Sequence, residues 1–484
     1  MEEDQEKRRF AKAVLASSRD NMLLPLLLAA IGWLVLWTWG QIWSISLQVG
    51  GAAWIHHGFA KRFMPPFSLT TYQHFALFWC AIWACGFALD YLVKRTPAHI
   101  TAFAPGVMFV LAMMTQFERC PERVLNAQFW AEDGFVFFSE AYRKGAIAFI
   151  TPYNGYLHVA PRLVALTSTW LPLRLAPQFF AIVALCVVAA TSAFLASNRC
   201  NRLGPLSLRI IWAILLVVCP ARSEVFANMA NAQFFLAIFV VLMVIGDQPT
   251  SILYRGIYCG FFAICAFTGP FSPIYWIASM RVLPSQSRYA KVVRSIFAAG
   301  SVVQLGLLAT SDRPQPGEPV YRGHVLPVLA KAMYDSILGE TRYHFLPPTV
   351  QVALVVLLIG FGIYAFRGDS YTLKWFWAIS GCISLSVLIL PTGLVSELPL
   401  YGNRYFVPLS FAVLATIAAG AFYRNLRFAL LLAPVALVGL ISDWSIPPLD
   451  DFHWNGQVKE YEEGHRTSFW IPNGRYMVLS NLKQ

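Results

Sequence analysis

Long apolar runs alternate with short basic connections along this chain, and the alternation predicts helices that cross a lipid bilayer. Such a helix needs roughly 20 apolar residues. The runs and their flanking charges predict about thirteen spans, at 22–39, 75–92, 99–115, 177–196, 207–220, 232–246, 253–268, 270–281, 295–309, 349–366, 373–391, 404–421 and 427–441. Those near 207, 270 and 427 are short, and Pro220, Pro270 and Pro273 mark places where helices break or re-enter. Broken backbone is tolerated at membrane depth where protein covers it. The expectation is an all-α polytopic bundle.

The connections sort by charge. Lys94-Arg95, Asn198 to Arg202, Arg281 to Arg294, Arg367 to Lys374 and Arg424 to Arg427 are short and basic, as cytoplasmic loops are. The long connections 40–74, 116–176, 310–348 and the tail after Ile441 fall on the opposite face and hold many of the acids. This places the N-terminus in the cytoplasm, with Gly134 and Gly474 outside and Gly368 inside. The charged first twenty residues run into a full-length span, so they read as a retained tail and not a cleaved signal. The expected organisation is 1–96, a tail with two helices; 97–441, the main membrane core with external loop 116–176; and 442–484, an external cap.

Composition agrees. Of 484 residues, 57% are hydrophobic and 13% charged, against ~45–50% and ~25% in soluble domains. The net charge of +12 comes from residues spread over loops without a nucleic-acid reader motif. It fits topogenic charge and contacts with membrane lipids, and no nucleic-acid partner is expected. Nine cysteines, mostly within apolar runs and never spaced CxxC, offer neither a disulfide framework nor a zinc site. His56-His57 is an isolated pair that fits an interfacial position better than a metal site. P-loop, dinucleotide and HExxH signatures are absent.

Candidate chemistry gathers in the external loops. Glu132-Asp133 precedes an amphipathic run, Phe135 to Ile147, in which Phe135, Val136, Phe137, Phe138, Ala141 and Tyr142 can line one side. Ser139, Glu140, Arg143 and Lys144 would stay wet. Such a helix lies in the membrane interface. Asp133 either caps it or works with Glu132 on a substrate that approaches over Gly134. Pro152 to His158 follows, offering Tyr156 and His158. Arg162, Arg222 and Arg404 stand at external helix ends, with Tyr405 beside the last. They either snorkel to ordinary lipid or form a fork for a lipid phosphate. Glu224, Asn228, Asn231 and Gln233 form a polar cluster that either binds sugar hydroxyls or satisfies its own backbone. In the cap, Trp454 and Trp470 stack on sugars or sit in an interfacial belt.

An acid in the first large external loop, an interfacial helix after it, a Gly-Tyr approach to the next span and Arg404-Tyr405 at a later helix start resemble the GT-C superfamily of polytopic glycosyltransferases. Within it the chain looks most like bacterial enzymes that modify surface polysaccharide, including O-antigen glucosyltransferases. Ile471-Pro472-Asn473-Gly474-Arg475-Tyr476 is similar to an Ile-(Asn)-Pro-x-Gly-Trp ending of such proteins, with Arg475-Tyr476 where tryptophan would stand. The similarity covers roughly 99–484; the two spans before residue 96 depart from it.

The resemblance implies a GT-C-like fold in a bacterial inner membrane and an inverting transfer from a polyprenyl-phosphate sugar donor to a glycan acceptor. An external-loop acid would be the base. Asp133 is the matching position, with Glu132 orienting it or binding sugar. Arg404, helped by Arg162 or Arg222 and with Tyr405 beside it, would hold the donor phosphate. Tyr156, His158, Glu224, Asn228, Asn231 and Trp470 would meet sugar or acceptor. No cofactor is required, and a divalent metal is compatible but not demanded. The rival expectations are a flippase for a lipid-linked sugar, which needs its carboxylates near the midplane, and a non-catalytic envelope assembly subunit.

Overall fold

The computed structural model describes residues 97–220, 224–311, 403–423, 446–472 and 475–479, with scattered positions in 349–383 and 439–444. The chain divides between Cys85 and Gly86, and every described residue belongs to the second unit. The predicted spans 22–39 and 75–92 therefore lie outside the described residues, as do most of 349–366, 373–391 and 427–441.

The described chain is mostly helical. Helix α1 (Pro97–Arg119) is followed by a loop and the helical stretch that carries the acidic pair, which ends in α2 (Ser139–Lys144). Then come α3 (Val159–Ser168), α4 (Ala176–Ala196), α5 (Leu206–Val218), α6 (Gln233–Ile245), α7 (Ile252–Ala266), α8 (Ser272–Val282), α9 (Arg288–Thr310) and α10 (Val407–Tyr423). These match eight of the predicted apolar runs closely. The largest discrepancy is at α9, which begins at Arg288 and not near 295. Ser287 accepts a hydrogen bond from the Ala290 amide there, so polar first turns with Lys291 and Arg294 are helical although hydropathy does not mark them.

Length qualifies the predicted bundle. Leu173–Ala196 and Arg288–Thr310 are long and apolar enough to cross a membrane. Helices α5 and α6 have 13 residues each, roughly 20 Å of rise, short of a hydrocarbon core ~30 Å thick. Helix α6 is apolar nearly all round and buried along almost its whole length. That is the signature of a central core helix. Around it Trp212, Phe262, Phe271, Tyr275, Phe297 and Phe411 form one large core.

The expectation of a purely helical chain is corrected in the cap. Helix α11 (Trp454–Glu462) is followed by an antiparallel hairpin, β1 (Ser468–Ile471) and β2 (Arg475–Val478). The alternation Phe469, Ile471 inward and Ser468, Trp470 outward gives the hairpin one buried face. A second core joins that face to the 116–176 loop and to α4: Phe469, Ile471, Met477 and Trp454 pack with Phe129, Val136, Phe137, Phe138 and Phe180. Trp454 is buried and its indole N–H donates to the Arg174 carbonyl at 3.2 Å. It supports the cap and offers no face to a sugar.

Buried arginine hydrogen bonds fasten the linker to the cap. Arg119, at the end of α1, donates to the carbonyls of Val217, Asp443 and Trp444 at 2.6–2.9 Å. The Arg119 carbonyl in turn accepts from the Ile446 amide.

Candidate active site

The acidic pair sits where the helix changes pitch. Asp133–Phe138 forms a π-helical turn running into α2. The Ser139 amide reaches back to the Gly134 carbonyl, and the Ser139 hydroxyl donates to the Phe135 carbonyl at 2.6 Å, so the extra residue leaves no backbone group stranded. Insertions of this kind re-aim side chains and are frequent at functional sites. Successive residues leave a helix roughly 100° apart, and here that separates the two acids.

Asp133 points inward. It is 1% exposed, and its two oxygens accept the backbone N–H groups of Met229 and Ala230 at 2.9 and 2.8 Å. Burial raises its pKa well above the ordinary carboxylate range; the Glu132 charge adds to the rise, and the two N–H donors oppose it. The capping alternative is therefore excluded, because the bonds go to a distant loop and not to the helix's own amides. Glu132 is half-exposed and is the carboxylate of the pair that solvent reaches.

Gly134 does not leave room for a substrate. A Cβ there would lie 2.8 Å from Phe129 Cβ and 3.1 Å from Ile471 Cδ1, so the glycine allows the cap hairpin to seat on the loop. Phe129 Cβ is tied to its backbone and cannot swing away. Gly134→Ala is therefore expected to cost about 1–3 kcal/mol, as overpacking does, read as a lower unfolding temperature in detergent.

The amphipathic run is buried by protein more than by an interface. Val136, Phe137, Phe138 and Ala141 lie in the second core, and Ser139, expected to be wet, is buried. Only its far end, with Arg143, Lys144, Ile147 and Ile150, is exposed.

Arg162 is also corrected. It lies in the first half of α3, 1% exposed, not at a helix end facing headgroups. One guanidinium nitrogen donates to Glu140 at 2.8 Å, and the group lies 5.4 Å from the Phe137 ring centre. Its Nε and other terminal nitrogen are buried without a hydrogen-bond partner. Burial raises the Glu140 pKa, but hydrogen bonds from Arg162 and Lys144 outweigh it and leave the carboxyl below its ordinary value.

Segment 152–158 is held by the helical core. Gln304 of α9, fully buried, accepts the Leu157 amide at 2.8 Å and donates to the carbonyls of Leu157 and Gly269. His158 pairs with Thr268 across an isolated bridge. The buried His158 ring packs against Tyr156 at 4.4 Å and Phe137 at 5.2 Å, in an aromatic core position. Tyr156 is half-buried beside it.

Within the polar cluster 224–233 the two asparagines bond to their own loop. Asn228 donates to the Glu224 carbonyl at 2.7 Å and accepts the Asn231 amide at 3.0 Å. Asn231 donates to the same Glu224 carbonyl. Both are buried, so they shape the loop and do not meet a sugar. What the loop presents is Glu224, whose carboxylate binds Arg404 at 2.5 Å. Arg404 stands in a 3-10 turn (Asn403–Phe406) before α10; Arg222 and the Tyr405 side chain lie outside the described residues.

Several of these charges act on Tyr153. Burial pushes its hydroxyl up to about 12, with the Glu132 charge raising it further while the Asn154 side chain, Arg475 and Arg404 pull it down. An acid and two arginines thus act on one phenol. Nothing in the sequence singles out Tyr153 or Arg475 for a role, although they lie in the polar stretches Pro152 to His158 and Ile471 to Tyr476. Trp470 is not part of this group. It stacks on Tyr476 at 3.8 Å on the outward face of the hairpin, opposite the face that carries Ile471 and Arg475.

No group of metal-ligating side chains occurs among the described residues. Compared with known protein families, curated proteins and solved structures, the chain matches none.

Proposed function

We propose that the chain is a polytopic hexosyltransferase that moves one sugar from a polyprenyl-phosphate donor to a hydroxyl of a glycan or lipid-linked saccharide outside a bacterial inner membrane. What supports this reading is an accessible acid, Glu132, and two arginines within electrostatic reach of Tyr153, with Phe135 packed against both Tyr153 and Arg475 and with Arg404 paired to Glu224. The membrane setting rests on the two helices of spanning length and on Ile252, Leu253, Ile257, Ile277, Val302 and Leu305, large apolar side chains left exposed on α7, α8 and α9. Apolar surface of that extent calls for a partner or lipid.

In the reaction, Glu132 takes the proton of the acceptor hydroxyl, whose oxygen attacks the anomeric carbon opposite the phosphate. The bond from that carbon to the phosphate oxygen breaks, and its electron pair leaves with polyprenyl phosphate. Arg404 meets the growing negative charge, as preorganised donors do. The base role thus passes from Asp133 to its neighbour. Asp133, locked to the amides of Met229 and Ala230, positions the turn that carries Glu132 against the loop that carries Glu224. Arginines supply the positive charge, so the scheme demands no metal.

The test is steady-state transfer of labelled sugar by the purified chain in nanodiscs. Arg404→Lys keeps the charge and loses the planar fork, and is expected to raise the donor KM about ten- to a hundredfold with the acceptor KM unmoved. An unchanged donor dependence would leave Arg404 as a structural partner of Glu224.

A further inference from the structure

Arg475 is a cation of this site that no acid among the described residues pairs with. The hairpin brings it there. Its register pairs Ile471 with Arg475 and Phe469 with Met477, so these four side chains leave the sheet on one face. Ile471 seats that face against Gly134. Arg475 then reaches Phe135, its guanidinium carbon 5.3 Å from the ring centre, and Phe135 stands edge-on to Tyr153 at 6.4 Å. Among the described residues no carboxylate lies within ion-pair distance of Arg475, whereas Arg404 is held by Glu224 and Arg162 by Glu140.

The difference matters for an anionic ligand. An arginine that shares its charge with a carboxylate can still meet charge developing on a leaving oxygen, but it attracts a whole anion less strongly than an unshared guanidinium does. A guanidinium resting on an aromatic ring keeps its N–H edge available and remains a full charge. Arg475 is also exposed, so a ligand can reach it without dismantling the loop. Gly134, which admits Ile471, and Phe135, which supports Arg475, are consecutive residues of the π-helical turn that carries Glu132. The position of the cation is therefore tied to the position of the acid.

We propose that Arg475 binds the phosphate of a prenyl-phosphate ligand, so that the C-terminal hairpin completes the donor site from above. The inference rests on the sugar-transfer reading and adds to it the residue and the element that recognise the anion. It gives the cap a role in ligand binding and makes Arg404–Glu224 the opposite wall.

The experiment is calorimetric titration of the full-length chain in detergent with farnesyl phosphate and, separately, with farnesol. The unmodified chain should bind the phosphate more tightly than the alcohol. Arg475→Gln should weaken farnesyl phosphate binding about tenfold, the lower range for a charge-assisted hydrogen bond at an accessible position, and leave farnesol binding unchanged. Arg475→Lys should retain part of the preference. If Arg475→Gln binds farnesyl phosphate like the unmodified chain, the inference fails while the transferase reading stands. Equal loss of both ligands would also overturn it, because it would mean that Arg475 only holds the hairpin in place. If the unmodified chain does not distinguish phosphate from alcohol, the donor reading itself fails.

Discussion

Glu132→Gln is expected to slow sugar transfer by roughly 10²–10⁴-fold, the usual worth of a general base, without harming the fold. The substitution preserves size and removes the proton acceptor. Glu132 is half-exposed, so its loss strands no buried partner. Asp133→Asn is the informative contrast. An amide can accept from only one of the Met229 and Ala230 N–H groups and sets its own NH2 against the other. A buried donor left without an acceptor costs about 1–3 kcal/mol, so this variant should unfold at a lower temperature. Its transfer should fall because the turn bearing Glu132 shifts. Transfer rates and thermal unfolding of both variants separate the roles. A stable, fully active Glu132→Gln protein would remove the proposed base, and a stable but inactive Asp133→Asn would return that role to Asp133.

Glu140→Leu is expected to destabilise the fold by about 1–3 kcal/mol, less than the loss of a fully buried pair, because Glu140 is partly exposed and solvent screens it. Arg162 has a fully buried side chain and Glu140 as its ion-pair partner, and two of its nitrogens already lack hydrogen-bond partners. Removing Glu140 leaves the buried guanidinium against the Phe137 ring without its carboxylate. The double change Glu140→Leu, Arg162→Leu should recover much of the loss, because apolar replacement of a whole buried pair is often neutral or better. The acid limb tests the same pair. Glu140 has a folded pKa below its ordinary value, so its contribution is present above the unfolded value of about 4.3 and is lost as pH falls through the lower folded one. The leucine variant should lack that part of the acid-induced loss. Equal stability of the single variant and the unmodified chain across pH would show that the pair contributes nothing.

Arg162 and Asp133 illustrate what a chain of letters conceals. Both occupy loops or helix ends by hydropathy, and both are buried. Burial was decided by partners far along the chain, Glu140 for one and the Met229-Ala230 amides for the other. The same holds for Arg404, whose partner Glu224 lies 180 residues away.

Hydropathy alone locates eight of the described helices, the polar segments between them and an acid pair in the loop 116–176. Hydrophobic periodicity and helix-breaking prolines are local properties, so they survive being read without a fold. Tertiary structure alone decided which of two adjacent acids faces solvent, because a π-helical turn sets their directions. It decided that Asn228 and Asn231 spend their hydrogen bonds on their own loop, and that Gly134 admits Ile471 in place of a substrate. It also brought Tyr153 and Arg475, more than three hundred residues apart, to one site. Hydrogen bonds and close packing depend on distance in space, and the order of residues along the chain does not encode that distance locally.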